Sequence, residues 1–220
     1  MRILIAVLAA SLGLALAPAA FALSGDPPAK EEGRVGDPGD TTANAGTGRE
    51  TLPGAPEQTR AQKLDSLFET LRSAPSEEAA LAAEDSIAAL WMDSGSATVD
   101  VLMEWALDAV KDKNYPLALD YLDRILTLKP DYVEAWNMRA TVYYLREDFG
   151  RALADIEKTL ALEPRHFVAL AGLGTILREI GEDKRALDVY RRALEVDPHL
   201  PNVQKAIDDL TDKGVDGHDI

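Results

Sequence analysis

The sequence predicts an all-α protein: a helical-repeat solenoid of three repeats, with an N-terminal helical hairpin and a C-terminal capping helix. Three observations predict it. Alanine and leucine dominate the chain and only 6% of its 220 residues are aromatic, a composition that favours helices over sheets. Apolar residues recur at helical spacing from about residue 58 onward. Several residue types then return at a fixed interval of 34 residues, which is the mark of a repeat architecture.

The first 22 residues have the layout of a secretory signal peptide. Arg2 gives a basic start, an apolar run follows over residues 3–17, and Ala20 and Ala22 stand at the two positions that a signal peptidase reads. The alternative is a transmembrane anchor, since the apolar stretch is nearly long enough to span a bilayer. Pro18 and the absence of a basic stop-transfer cluster argue against it. We therefore expect residues 1–22 to be removed and the protein to be exported.

Residues 23–57 are predicted to be a disordered Gly/Pro-rich linker. They hold seven of the chain's fifteen Gly and five of its twelve Pro, with almost no large apolar side chains. Such a segment cannot bury enough surface to offset the entropy of ordering its backbone. Its expected role is that of a spacer between the cleavage site and the folded part.

Residues 58–98 are predicted to form the N-terminal helical hairpin. The apolar stripe of its first helix consists of Leu64, Leu67, Phe68 and Leu71. Ser76 is the expected N-cap of the second helix, because a serine hydroxyl can accept a hydrogen bond from a free amide in the first turn. We expect the hairpin to cap the N-terminal end of the solenoid.

Four columns of identical residues recur 34 positions apart. They are Ala118, Ala152 and Ala186; Leu119, Leu153 and Leu187; Leu126, Leu160 and Leu194; and Pro130, Pro164 and Pro198. With two helices in each period, the chain resembles the tetratricopeptide repeat (TPR) family, in the form of an exported TPR protein of proteobacterial type. The resemblance implies repeats over 99–132, 133–166 and 167–200, followed by a capping helix over 201–213 and a polar tail over 214–220.

The resemblance also implies how each repeat packs. Small residues at the eighth and twentieth positions, such as Gly174 and Ala186 in the third repeat, let the two helices approach closely. The proline at the end of each repeat stops the second helix before the next repeat begins. Arg139 departs from the family pattern, because it stands where an apolar residue is usual.

In the TPR family the first helix of each repeat lines a concave groove that binds a protein or peptide. Carried over position by position, the resemblance implies the groove residues Met103, Leu107, Asn137, Met138, Thr141, Tyr144, Ala171, Thr175 and Arg178. The clamp with which some members grip a peptide carboxylate is absent, because mostly apolar residues occupy its positions. Such a groove suits an apolar segment. The alternative, that some of these side chains pack against neighbouring helices, stays open at this point.

Composition and motifs argue against other classes of function. The chain has no cysteine and a net charge of −15, which excludes thiol chemistry and disfavours nucleic acid. Its three histidines are too scattered to suggest a metal site, no cofactor motif is present, and no carboxylates converge in the pattern, so no enzymatic activity is predicted. The three tryptophans, Trp91, Trp105 and Trp136, are expected in the core because they fall on apolar stripes.

The predicted function is that of an exported TPR scaffold, placed in the periplasm, which mediates protein–protein interactions in the cell envelope. Support of envelope integrity or assembly of an envelope complex is the role that the resemblance suggests. One alternative is an accessory domain of a secreted enzyme or cofactor-maturation system. Another is an enzyme with a site between the hairpin and the solenoid. No membrane span is expected after the signal peptide, and the sequence leaves the oligomeric state open.

Overall fold

The structure is a computed structural model that describes residues 59–215, and this part of the chain is entirely helical. The predicted signal peptide, the whole of the linker and most of the polar tail lie outside the described residues. Nine helices fill the described part: α1 (Arg60–Arg72), α2 (Glu77–Met92), α3 (Ala97–Lys111), α4 (Tyr115–Leu128), α5 (Val133–Leu145), α6 (Phe149–Leu162), α7 (Phe167–Glu179), α8 (Asp183–Val196) and α9 (Pro201–Asp212). The predicted all-α fold is confirmed.

Helices α3 to α8 form three successive hairpins, and each hairpin packs against the next. The turn inside each hairpin has the same backbone form, with positive φ at Lys113 (58°), Glu147 (58°) and Gly181 (83°). These residues are 34 positions apart, so the repeat extends to the backbone conformation of the turn. In the first turn, the amide of Asn114 donates a 2.8 Å hydrogen bond to the carbonyl of Ala109 and closes the helix end.

Local capping explains where several helices begin. Ser76 accepts a 3.3 Å hydrogen bond from the amide of Ala79, so its predicted role as an N-cap is confirmed. Asn114 and Asp148 occupy the same position in the first two repeats, and each side chain accepts from a backbone amide of the following turn. These bonds satisfy amides that have no partner within the helix.

Close helix packing depends on the small residues of the repeat. Ala118, Ala152 and Ala186 are fully buried between the helices of their repeats. Gly174 has the least room: a Cβ placed there would lie 2.5 Å from Cε1 of Tyr190. The Tyr190 ring therefore fills the space that an alanine would otherwise take.

Arg139, the departure from the family pattern, joins two repeats. Its guanidinium contacts Asp155 at 2.7 Å and Asp123 at 2.6 Å, on the second helices of the second and first repeats. It also lies over the ring of Trp136, 4.8 Å from the ring centroid. The Asp155 side chain is 6% exposed, so the arginine neutralises a buried charge and covers an aromatic face at the same time.

The expectation that the hairpin caps the N-terminal end of the solenoid is wrong. Helix α2 packs against α5, the first helix of the second repeat. Its Trp91 ring also lies 5.3 Å from the ring of Phe167, at the start of the first helix of the third repeat. The hairpin core includes Phe167 and is bordered by Val168 and Leu200, all three of the third repeat. The turn at Gly95, with φ of 72°, precedes α3, and α2 lies beside the repeats instead of continuing the stack.

Candidate functional site

The predicted concave face, formed by the first helices α3, α5 and α7 of the repeats, is partly covered by the chain's own helix α2, which packs against α5 and contacts Phe167 of α7. At the centre of this contact the Trp91 ring stacks on the His166 ring, with centroids 4.1 Å apart and planes 9° apart. His166 is fully buried. Its Nδ1 accepts from the amide of Ala169 at 3.1 Å, so the proton of the neutral ring is on Nε2, which donates to Glu134 at 3.2 Å. The histidine therefore caps α7 and docks the hairpin.

Polar contacts at the edge of the hairpin fix its position. Arg165 forms a 2.7 Å ion pair with Asp65 of α1, and its guanidinium lies 4.3 Å from the centroid of the Phe68 ring. The hydroxyl of Tyr132 donates a 2.8 Å hydrogen bond to the carbonyl of Met92 at the end of α2. Both contacts join residues that are distant in sequence, so the hairpin is held at several separate points.

Four of the predicted groove residues are interior. Met103, Asn137, Met138 and Thr141 are 1–9% exposed; both methionines belong to the core that joins the first two repeats. These four side chains are therefore not exposed in a groove as predicted, because they pack between neighbouring helices. Whether any of them affects partner binding stays a prediction.

The other five predicted groove residues, Leu107, Tyr144, Ala171, Thr175 and Arg178, are half-buried. Leu107 packs against the core of the first two repeats. Burial raises the pKa of the Tyr144 hydroxyl, and its ring lies 6.0 Å from that of Phe149. Only Ala171 and Thr175 line a cavity described below.

That cavity, here called the hairpin cavity, lies between α2, α7, α8 and the start of α9. Its volume is about 240 Å³. It is lined by Glu77, Leu81 and Glu84 of the hairpin; Phe167, Val168, Ala171, Thr175, Tyr190, His199 and Leu200 of the third repeat; and Pro201, Asn202, Val203 and Ala206 of α9. Leu81 is 50% exposed, so an apolar side chain is available to solvent beside the cavity.

Glu84 is the charged group that distinguishes the cavity. It is 6% exposed, and burial, followed by repulsion from Asp197, raises its pKa to about 7. Asp197 is fully buried at the end of α8, and burial raises its pKa as well. One oxygen of Asp197 accepts a 2.9 Å hydrogen bond from the amide of His199. Two carboxyl groups therefore meet where the hairpin contacts the third repeat.

The sequence pattern did not predict Glu84, Leu81 or the α9 residues at the site. The one signal for Glu84 was that it falls on the buried side of its helix, at a position where the repeat pattern expects alanine.

The prediction that the tryptophans lie in the core is only partly correct. Trp91 is buried, but Trp105 is 51% exposed and pairs with Tyr121 at 5.7 Å, because α2 does not cover this end of the stack.

Among residues 59–215, no cluster of three or more potential metal ligands exists. Within the same part of the chain, none of the helices combines the length and hydrophobicity that a bilayer crossing requires.

Comparison with known proteins agrees with the geometry. A tetratricopeptide repeat model matches residues 103–154 and 138–201. A TPR repeat-containing protein of Rhizobium etli is 40% identical over 152 residues, which cover 69% of this chain and 74% of that protein.

Solved structures show the same fold at lower identity. The first TPR domain of Spaghetti (RPAP3), bound to an HSP90 peptide, is 20% identical with a TM-score of 0.51, over 54% of this chain and 94% of that one. The TPR domain of Arabidopsis OM64 is also 20% identical with a TM-score of 0.51, over 56% and 98%. Together with the solenoid, whose turns recur every 34 residues, the match to the Rhizobium etli protein shows that this chain belongs to the tetratricopeptide repeat family of protein-interaction scaffolds.

Proposed function

We propose that this protein is an exported scaffold of the cell envelope that binds segments of partner proteins at the open part of its concave face. The observation that carries the proposal is the hairpin cavity, which α7 lines at Ala171 and Thr175, two positions where the family pattern places ligand contacts. Helix α2 covers part of this face beside α5, so a partner segment enters beside the hairpin.

The export part of the proposal depends on the layout of residues 1–22, and the binding part on the TPR fold. The related Spaghetti domain was solved with an HSP90 peptide, which supports peptide capture as a use of this fold. The partner expected here is an apolar segment, since the cavity lining is mainly aliphatic and aromatic. We place the protein in the maintenance of envelope integrity or in the assembly of an envelope complex.

The enzyme alternative has one feature in its favour, the meeting of Glu84 and Asp197. Asp197 is fully buried, however, and does not line the cavity. The two carboxyl groups therefore do not face a substrate together, as acid–base catalysis by such a pair requires. The arrangement favours a binding site.

Site-specific photocrosslinking in intact cells tests the binding proposal. A photoreactive residue in place of Thr175 is expected to capture partner proteins. The same residue in place of Glu157, which is exposed on α6, serves as the control. Equal capture from both positions, or none from Thr175, would place binding elsewhere on the molecule.

Cell fractionation tests export separately. The full chain is expected in the periplasmic fraction, and a chain without residues 2–22 in the cytoplasm. Retention of the full chain in the cytoplasm would refute the envelope role while leaving the binding site untouched.

A further inference from the structure

The hairpin cavity combines an apolar lining with a buried acidic group, and this combination limits what it can hold. Its volume of about 240 Å³ is below the roughly 300–1,000 Å³ of typical small-molecule sites. The cavity is therefore matched to one or two side chains of a partner segment rather than to a cofactor. Leu81, Phe167 and Leu200 supply apolar surface for the stem of such a side chain.

The acidic group has no lysine or arginine partner within the cavity. Oε1 of Glu84 and Oδ2 of Asp197 are both buried without a donor from any other described residue, and the two carboxyl groups hydrogen-bond each other, which requires a proton on one of them. No lysine or arginine lines the cavity. A buried carboxylate without a counter-charge is costly, so the pair needs either a proton or a cation from outside.

Arg165, at the edge of the hairpin, is already paired with other acidic groups. Arg165 is engaged with Asp65 at 2.7 Å and with Glu163 at 3.1 Å. On the remaining side, Glu77 of α2 also lines the cavity and adds to the repulsion on Glu84. The surroundings of Glu84 are thus acidic on its own helix and at the end of α8.

We propose that the hairpin cavity binds a lysine or arginine side chain carried on an apolar segment of the partner, with Glu84 as the receptor group and Asp197 behind it as a second negative charge. Lysine and arginine have an aliphatic stem and a charged tip, which matches apolar walls around an acidic group. The chain's net charge of −15 also attracts a cationic segment before contact. A second copy of this chain would carry the same negative charge and is disfavoured. This inference rests on the proposed function, because it names the chemistry of the partner segment.

Three short peptides that differ at one position test the specificity. The probes are Ac-Ser-Leu-Xaa-Leu-Ser-NH2 with lysine, norleucine or glutamate at Xaa, titrated calorimetrically into the full chain at about pH 8, where Glu84 is ionised. The lysine peptide is expected to bind about tenfold or more tightly than the norleucine peptide, because a buried carboxylate gains a charge-assisted hydrogen bond. The glutamate peptide is expected to bind more weakly than both.

Two variants connect the preference to the carboxylate. Glu84→Gln is expected to bring the lysine and norleucine peptides within about twofold of each other. Glu78→Gln, at an exposed position of the same helix, is the matched control and is expected to keep the preference. Circular dichroism of both variants checks that the helices are retained.

The pH dependence gives a second readout. The groups that act on Glu84 are Asp197, Asp85 and Glu77, with His199 beside Asp197. A cation competes with the proton for the carboxylate, so the lysine peptide is expected to bind more tightly at about pH 8 than at about pH 6. The norleucine peptide and the Glu84→Gln variant are expected to show little of this change.

Some outcomes would overturn the inference. Equal binding of the lysine and norleucine peptides to the unmodified chain would refute the cation specificity, and so would a preference that survives in Glu84→Gln. If Thr175 still crosslinks partners in cells in that case, the proposed function stands and only the partner chemistry is wrong. If no peptide binds and Thr175 captures nothing, both proposals fail.

Discussion

Replacement of Glu84 by glutamine is expected to stabilise the protein at neutral pH and to leave it nearly unchanged in acid. The carboxyl is 6% exposed and its pKa is raised from 4.5 to about 7. The folded state therefore holds this proton at pH values where the unfolded state has lost it. Between pH 4.5 and about 7 the folded state binds more protons, so this group lowers the free energy of unfolding as the pH rises.

The size of the effect follows from the same shift. One pKa unit corresponds to about 1.4 kcal/mol, so a rise from 4.5 to about 7 amounts to about 3 kcal/mol of lost stability once Glu84 is fully ionised. Glutamine has a similar shape and no charge, and its amide can donate to Asp197. We expect Glu84→Gln to gain about 3 kcal/mol near pH 8 and well under half of that near pH 5.

Urea unfolding followed by circular dichroism, for the unmodified chain and the variant across this pH range, measures the difference directly. Groups that titrate in both proteins cancel in that difference. Glu157→Gln, an exposed position on α6, is the control and is expected to show almost no pH-dependent difference. A gain that is the same at about pH 5 and about pH 8, or a loss of stability near pH 8, would refute the reasoning about the buried carboxyl.

Four further substitutions test how the solenoid is held together. Gly174→Ala is expected to lower the free energy of unfolding by about 1–3 kcal/mol, because its Cβ would lie 2.5 Å from the Tyr190 ring. Gly172→Ala, with 3.9 Å to its nearest neighbour, is expected to raise it by up to about 1 kcal/mol through helix propensity; thermal melts with the same sign for both would contradict this. Trp91→Ala is expected to cost about 3–5 kcal/mol and to speed amide exchange in α1 and α2 before the repeats; uniform acceleration would mean that the hairpin is not a separate docking unit. Arg139→Met is expected to lower the free energy of unfolding by about 3–5 kcal/mol, since it leaves the buried Asp155 unpaired. Replacing Arg139 and Asp155 together by apolar residues should recover most of this loss in urea unfolding.

Much of the fold could be predicted because its information is local. The residues that define a repeat are at fixed distances along the chain, and small, large and helix-stopping residues each have one position in the 34-residue unit. The backbone of the turns follows the same spacing, as Lys113, Glu147 and Gly181 show by their shared positive φ. Periodicity therefore identified the helical stack, and local capping chemistry identified the N-cap at Ser76.

The candidate site was only partly predictable. The family pattern led to Ala171 and Thr175, which line the hairpin cavity, but also to Met103 and Met138, which are buried in the core. A helical stripe identifies the residues on one side of a helix and cannot identify what packs against that side. Arg139 illustrates the same limit, since its two aspartate partners are on different helices, each 16 residues away in sequence.

By itself, the sequence determined that this protein is a stack of three helical pairs, because short-range spacing fixes each helix and its nearest neighbour. Only the tertiary structure decided where the hairpin lies. Its docking depends on contacts such as Asp65 with Arg165, which are 100 residues apart, and on the stacking of Trp91 on His166. Those contacts cover part of the concave face and bring Glu84 against Asp197. The candidate site thus arises from long-range packing, which no periodic pattern along one helix records.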